Sequence, residues 1–212
     1  PGVMDAADPS KVVPQRGILM QNAVPTGGAM AAVMAMDAKK IEEICAQTEG
    51  IVSIANYNCP GQIVITGEEG AVDAACEALK AAGAKRTVKL NVSGPFHSQM
   101  LAEAGEKLGE VLKDVKLNDF SVPYVTNVTA DYVRSAGEVK DLLCRQVAFS
   151  VRWQQSVERM IADGTDTFIE IGPGRTLSGF MRKIDRGVTM MNIDKMEDFE
   201  KVMETLKGEG AC

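Results

Sequence analysis

The chain has 212 residues, 45% hydrophobic and 25% charged, which is enough apolar side chain for one large domain or for one carrying a smaller insert. Its formal net charge of −6 and the absence of any basic run argue against nucleic acid as a partner. A local basic pocket for an anionic substrate stays compatible with that balance.

In chain order, Pro1-Gly2-Val3 opens the sequence with no initiator methionine and no element before Asp8, so it reads as a piece that begins in mid-domain. Asp8-Pro9 has the form of an N-cap followed by a first-turn proline. A helix through Val13, Ile18, Leu19 and Asn22 follows, with Pro14 expected to kink it. The cluster Pro25-Thr26-Gly27-Gly28 ends it. The apolar run 29–36 fits a buried strand, and Asp37 can cap a helix with Ile41, Ile44, Cys45 and Thr48 on one face. Two β-rich runs, 51–58 and 62–66, meet at Cys59-Pro60-Gly61, where proline and glycine suit a type II turn. Thr66-Gly67-Glu68-Glu69 has the spacing of a capping box for a helix that buries Val72, Cys76 and Leu79 and stops at Gly83. Residues 85–92 alternate, with Val88, Leu90 and Val92 on one face. The order is βαββαβ, the ferredoxin-like arrangement.

After Pro95-Phe96-His97 comes a helix with Leu101, Leu108, Val111, Leu112 and Val115 in register, then a strand at 122–127. Helices near 139–146 and 151–162 precede a strand at 167–171, which runs into Gly172-Pro173-Gly174 and a helix from Thr176. A strand at 188–193 and a helix carrying Met196, Phe199, Val202, Met203 and Leu206 complete the chain. Strands alternating with helices argue for a parallel α/β sheet. The expected plan is an α/β domain in two parts, 1–27 and 93–212, with a ferredoxin-like domain inserted at 28–92.

The five cysteines (Cys45, Cys59, Cys76, Cys144, Cys212) show no CxxC spacing, and with His97 the only histidine no metal site is expected. An odd count reads as free thiols in a reducing compartment, and the run 29–36 is too short to span a bilayer, which together point to the cytoplasm. His97 stands where an extended segment meets a helix, a place that disfavours the imidazolium and keeps the ring able to accept a proton. A histidine that merely caps or packs there is the competing reading. Arg16, among Val12, Val13, Ile18 and Leu19, could hold a carboxylate through two parallel hydrogen bonds, or could snorkel off an apolar face. Asn56 and Asn58 flank Tyr57 and could serve the turn or face a cleft. Gly172-Pro173-Gly174 has neither GxGxxG nor a Walker lysine, so no nucleotide site is expected. No Gly-x-Ser-x-Gly elbow occurs; the nearest pair, Ser178-Gly179, falls inside an expected helix.

Taken together, these residues resemble a family. Arg16-Gly17 with Met20-Gln21 looks like the arginine-helix motif of malonyl-CoA:acyl-carrier-protein transacylases, and the segment from Gly28 to Val33 like the first strand of their small domain. The segment from Asn56 to Ile65 resembles their hairpin, and Gly94-Pro95-Phe96-His97-Ser98 their histidine motif. Gln146 with Trp153, and Glu170-Ile171-Gly172-Pro173-Gly174 with Leu177, are similar to later segments, all in the family's order. The resemblance implies a partial α/β-hydrolase-like large domain and a ping-pong transfer of malonyl from coenzyme A to the phosphopantetheine thiol of acyl carrier protein through an acyl-serine, with no cofactor. It implies that His97 is general base and acid, oriented by the backbone carbonyl of Gln146, and that Arg16 pairs with the malonyl carboxylate. Phe96 fits the malonyl-selective form, while Asn58 and Asn56 would support the cleft. The family's opening strand, its oxyanion segment and its serine elbow have no counterpart in this sequence, so the chain alone is expected to be inactive. A polyketide synthase acyltransferase domain and a non-catalytic module that binds a carrier protein or small acid are the alternatives.

Overall fold

The computed structural model describes residues 3–4 and 7–209; Cys212, grouped above with the free thiols, and most of the opening Pro1-Gly2-Val3 lie outside them. The chain divides into two compact units, residues 1–156 and 157–212.

The first unit begins with α1 (Ala7–Ala23), a helix that contains Pro14. It starts before Asp8, so Asp8 and Pro9 sit in its first turn rather than forming the cap and first position expected. Pro9 removes no intrahelical bond, since the first four N–H groups have no partner there, whereas Pro14 lies beyond the first turn and forgoes one. Next come β1 (Gly28–Met34), α2 (Ala38–Gln47), β2 (Val52–Cys59), β3 (Gln62–Glu68), α3 (Glu69–Ala81) and β4 (Arg86–Lys89). The strands form one antiparallel sheet in the order β2-β3-β1-β4. Alternation assigns the faces. Ala29, Ala31 and Val33 pack with Ile41 and Cys45 of α2 and Val72, Ala75, Cys76 and Leu79 of α3. Met30 turns the other way and clusters with Ala55, Val64, Leu90 and Phe96.

Asp37 caps α2, its Oδ1 accepting from the backbone N–H of Lys39 at 2.9 Å. Gly61, at φ 72°, takes the turn position that requires a left-handed residue. The capping box does not form. β3 continues to Glu68, α3 starts at Glu69 without a side-chain cap, and the buried Thr66 Oγ1 has no partner among the described residues. Strand pairing prevails over the local cap here, because Gly67 is held between Ala29 and Val52. Any Cβ at Gly67 would lie 1.9 Å from the Ile51 carbonyl oxygen. Glu68 bends back instead and accepts from the Ile51 N–H at 3.0 Å.

A single 3-10 turn, Gln99–Leu101, leads into α4 (Ala102–Lys113). The strand expected at 122–127 shrinks to β5 (Val125–Thr126), paired with β6 (Asp131–Tyr132), two residues with no periodicity to detect. α5 (Ala136–Ala148) follows, and α6 (Trp153–Ala162) crosses from the first unit into the second. Val12 and Met20 of α1 pack with Leu101, Ala104, Leu108, Leu112 and Val147, so α1, α4 and α5 share one core. Past α5 the chain joins the β2 edge: Val151 donates to the Ala55 carbonyl at 2.7 Å, and Tyr57 donates to the Val151 carbonyl at 2.9 Å.

The second unit holds β7 (Thr167–Ile171), α7 (Thr176–Ile184), β8 (Thr189–Ile193) and α8 (Met196–Glu209). β7 and β8 pair in parallel, the one parallel pair among the named strands. Glu170 ties the layers together. It accepts from the N–H groups of Leu177 and Ser178 at 3.0 and 2.8 Å, and from Ser178 Oγ and Asn192 Nδ2. Ser178 is therefore committed to a buried network at the start of α7. No helix among the described residues is long and apolar enough to cross a membrane.

Candidate active site

His97 lies just before Ser98, whose Oγ caps the 3-10 turn by accepting from Met100 at 3.3 Å. Its own φ is 59°, a left-handed conformation that costs a non-glycine residue roughly 1–3 kcal/mol and that gathers at functional sites. That backbone places Nδ1 3.0 Å from the backbone carbonyl oxygen of Gln146, near the end of α5. A carbonyl can only accept, so the bond requires the proton on Nδ1 and leaves Nε2 with a free lone pair.

The ring's pKa is lowered from 6.5. Burial is the main cause, the Gln146 carbonyl opposes it, and the positive charge of Arg16 adds to it. The direction agrees with the sequence reading, but the cause is desolvation ahead of any helix terminus. His97 is therefore neutral at pH 7.

Arg16, half-buried on α1, donates from Nη2 to Gln146 Oε1 at 2.5 Å. Residue 146 thus holds the histidine with its main chain and the arginine with its side chain. Burial lowers the arginine's pKa, yet guanidinium starts so high that the group keeps its charge. Its remaining N–H donors are available for a carboxylate.

Arg16, Asn56, Phe96 and His97 line one cavity of about 500 Å³, together with Gly17, Met20, Gln21, Met30, Val64, Leu90 and Val92. Asn58 is not among the lining residues. β2 has register shifts between Ile54 and Asn56 and between Tyr57 and Cys59, so Asn58 sits in a bulge and simple alternation fails there. Sequence reasoning did not assign Met30, Val64 or Leu90 to the cavity; their signal was the period-two pattern, on the sheet face away from α2 and α3. It also passed over Phe149, whose backbone opposes the lowering of the His97 pKa alongside Gln146. A second cavity of about 450 Å³ reaches the same histidine from the side of Ser53, Gln99 and Phe149. Trp153 opens α6, beyond the stretch that joins β2.

The sequence matches the acyl transferase domain family over residues 2–196. The chain belongs to the acyl transferase family. It is 42% identical to the malonyl CoA-acyl carrier protein transacylase of Bacillus subtilis (strain 168), across 98% of this chain and 67% of that relative. The fold superposes with a TM-score of 0.94 on the malonyl CoA-acyl carrier protein transacylase of Clostridium perfringens, at 40% identity, covering 99% of this chain and 67% of the other. It also matches a malonyl-transacylase solved in complex with a type II PKS acyl-carrier protein, with a TM-score of 0.93 at 37% identity, covering 96% of this chain and 67% of the matched one. The chain thus spans about two thirds of the length of these relatives. Within an acyl transferase, a neutral imidazole beside a fixed cation is equipped to move a proton next to a bound anion.

Proposed function

We propose that this chain is part of a malonyl-CoA:acyl-carrier-protein transacylase of fatty-acid synthesis, working in the cytoplasm. Residues 28–92 would form a ferredoxin-like small domain set into a large, α/β-hydrolase-like acyltransferase domain built from 1–27 and 93–212. The observation that carries the reading is the pairing of a tautomer-fixed His97 with Arg16 on one cavity. Both are joined through Gln146.

In the proposed reaction a serine outside these residues attacks the malonyl thioester carbonyl while Nε2 of His97 takes the hydroxyl proton. The C–S bond breaks, and the departing thiolate of coenzyme A collects that proton from Nε2. Transfer to the phosphopantetheine thiol of acyl carrier protein reverses the order: the thiol gives its proton to Nε2, its sulfur attacks the acyl-serine, and the serine is reprotonated. Arg16 holds the malonyl carboxylate, with Phe96 and Asn56 shaping the cavity around it. Asn58 acts, on this reading, through the bulge rather than by contact.

Binding to the purified chain tests the proposal, because the sequence contains no serine elbow and the chain alone should turn over no malonyl-CoA. Malonyl-pantetheine should bind at least tenfold more tightly than acetyl-pantetheine, about 1.4 kcal/mol, and Arg16→Gln should abolish the difference. Equal affinity for the two thioesters would sink the assignment.

A further inference from the structure

Arg16 carries its charge without a carboxylate beside it, in a chain with 29 acidic residues against 23 basic ones. The bond from its Nη2 at 2.5 Å goes to Gln146 Oε1, the oxygen of a neutral amide on another helix. No carboxylate pairs with Arg16 among the described residues. Asp141, five positions earlier on α5, is engaged by Arg145 at 3.5 Å, and Arg159 on α6 has Asp163 at 3.2 Å. Those two ion pairs are exposed, whereas Arg16 is half-buried. The arginine with the greater need of an opposite charge is thus the one held by an uncharged partner.

Burying a cation without an opposite charge is costly, and burial is what lowers the Arg16 pKa. Glutamate at position 146 would have nearly the same size and would offset that cost with a charge-assisted, two-pronged bond. It would also occupy the guanidinium and cancel the positive charge on the cavity wall. The amide does neither. It fixes one edge of a long, rotamer-rich side chain and leaves the charge and the remaining N–H donors for whatever enters the cavity.

We propose that the side chain of Gln146 is a positioning residue that sets selectivity for acid-bearing acyl groups: it aims Arg16 and, as a neutral acceptor, leaves the guanidinium's charge to the substrate's carboxylate. This role belongs to the side chain and is separate from that of the main-chain carbonyl, which holds His97. The proposal rests on the acyltransferase reading and deepens it. Gln146 is absent from the cavity lining, so it acts through Arg16 rather than by touching the acyl group.

The test measures malonyl-pantetheine and acetyl-pantetheine binding by calorimetry for the unaltered chain, Gln146→Glu and Gln146→Leu, all of which keep the main-chain carbonyl. In Gln146→Glu the preference for malonyl should fall from about tenfold to about one, with acetyl-pantetheine held within about twofold. In Gln146→Leu the charge remains but its aim is lost, and the preference should drop to about threefold. The urea midpoint of Gln146→Glu should rise, because the half-buried cation gains a partner; a glutamine that only supports the structure would be weakened by the same change. A full preference surviving in either variant, or a lower midpoint for Gln146→Glu, would overturn the proposal and leave the acyltransferase reading intact. Loss of acetyl-pantetheine binding in both variants would mark Gln146 as a structural support and overturn it equally. Absence of any malonyl preference in the unaltered chain would overturn both.

Discussion

Gly105→Ala probes how the histidine's acceptor is held in place. Gly105 lies on α4, where a Cβ would meet the Cys144 carbonyl oxygen of α5 at 2.6 Å, against 3.4 Å for an ordinary contact. The helices must therefore part by about 0.8 Å or α4 must rotate, and the obstacle is backbone with no flexible end to yield. Overpacking of this kind costs roughly 1–3 kcal/mol. Alanine's advantage over glycine inside a helix returns about 0.8–1.0 kcal/mol. The net expectation is a loss between about zero and 2 kcal/mol, or up to ~8 °C in Tm for a chain of this size. Gly17→Ala on α1 is the comparison, since nothing lies within 4 Å of its Cβ and it should gain close to the full propensity term. Urea titration measures both. Gln146 is two residues beyond Cys144, so the shift should also disturb its 3.0 Å bond to His97, visible in the ring resonances of the only histidine. A Gly105→Ala chain as stabilised as Gly17→Ala, with an unchanged histidine spectrum, would refute the reasoning.

Titration of His97 followed by NMR should give a pKa below 6.5, and Arg16→Gln should move it upward by removing a repelling charge. An unmoved or lowered value would contradict the electrostatic account. Because the folded value is the depressed one, the stability His97 contributes is full above the unfolded value near 6.5 and is lost as pH falls through the folded one. For Glu170, burial works against ionisation, but hydrogen bonds from Ser178, Leu177 and Asn192 outweigh it and hold the carboxyl at about 2. Its stabilisation should be complete above the ordinary value of 4.5 and fade as pH falls toward about 2; urea midpoints at pH 6 and pH 3 should therefore converge between the unaltered chain and Glu170→Gln. A gap independent of pH would count against this. Thr66→Val should be neutral or stabilising by up to about 1 kcal/mol in the same assay, since it removes a buried hydroxyl that has no partner among the described residues. A loss above 1 kcal/mol would mean the hydroxyl is satisfied in solution.

Local chemistry made much of this fold legible. Asp37 before an amphipathic run, and Pro60-Gly61 between two β-rich runs, each need only neighbouring residues to act, and both did so in the structure. The failures came where a distant partner decided the outcome. Thr66 has the spacing of a cap, but β1 and β2 hold it in a strand. Asn56 and Asn58 look equivalent until the bulges in β2 separate them. The site was beyond any local pattern: His97 and its acceptor are 49 residues apart, and Arg16 and Gln146 are 130 apart. Periodicity carries no information over such distances, and only the likeness of whole motifs in order drew those residues together.

The acceptor that orients His97 is a main-chain oxygen, and every amino acid at position 146 would supply one. The stretch just beyond is fixed to β2 by main-chain bonds at Ala55, Tyr57 and Val151. Alignment of the imidazole is therefore robust to mutational drift in a way that the cavity walls are not. On the proposed function, exchange of Met30, Asn56 or Phe96 in the cavity wall would alter which acyl groups are admitted without retuning the proton transfer.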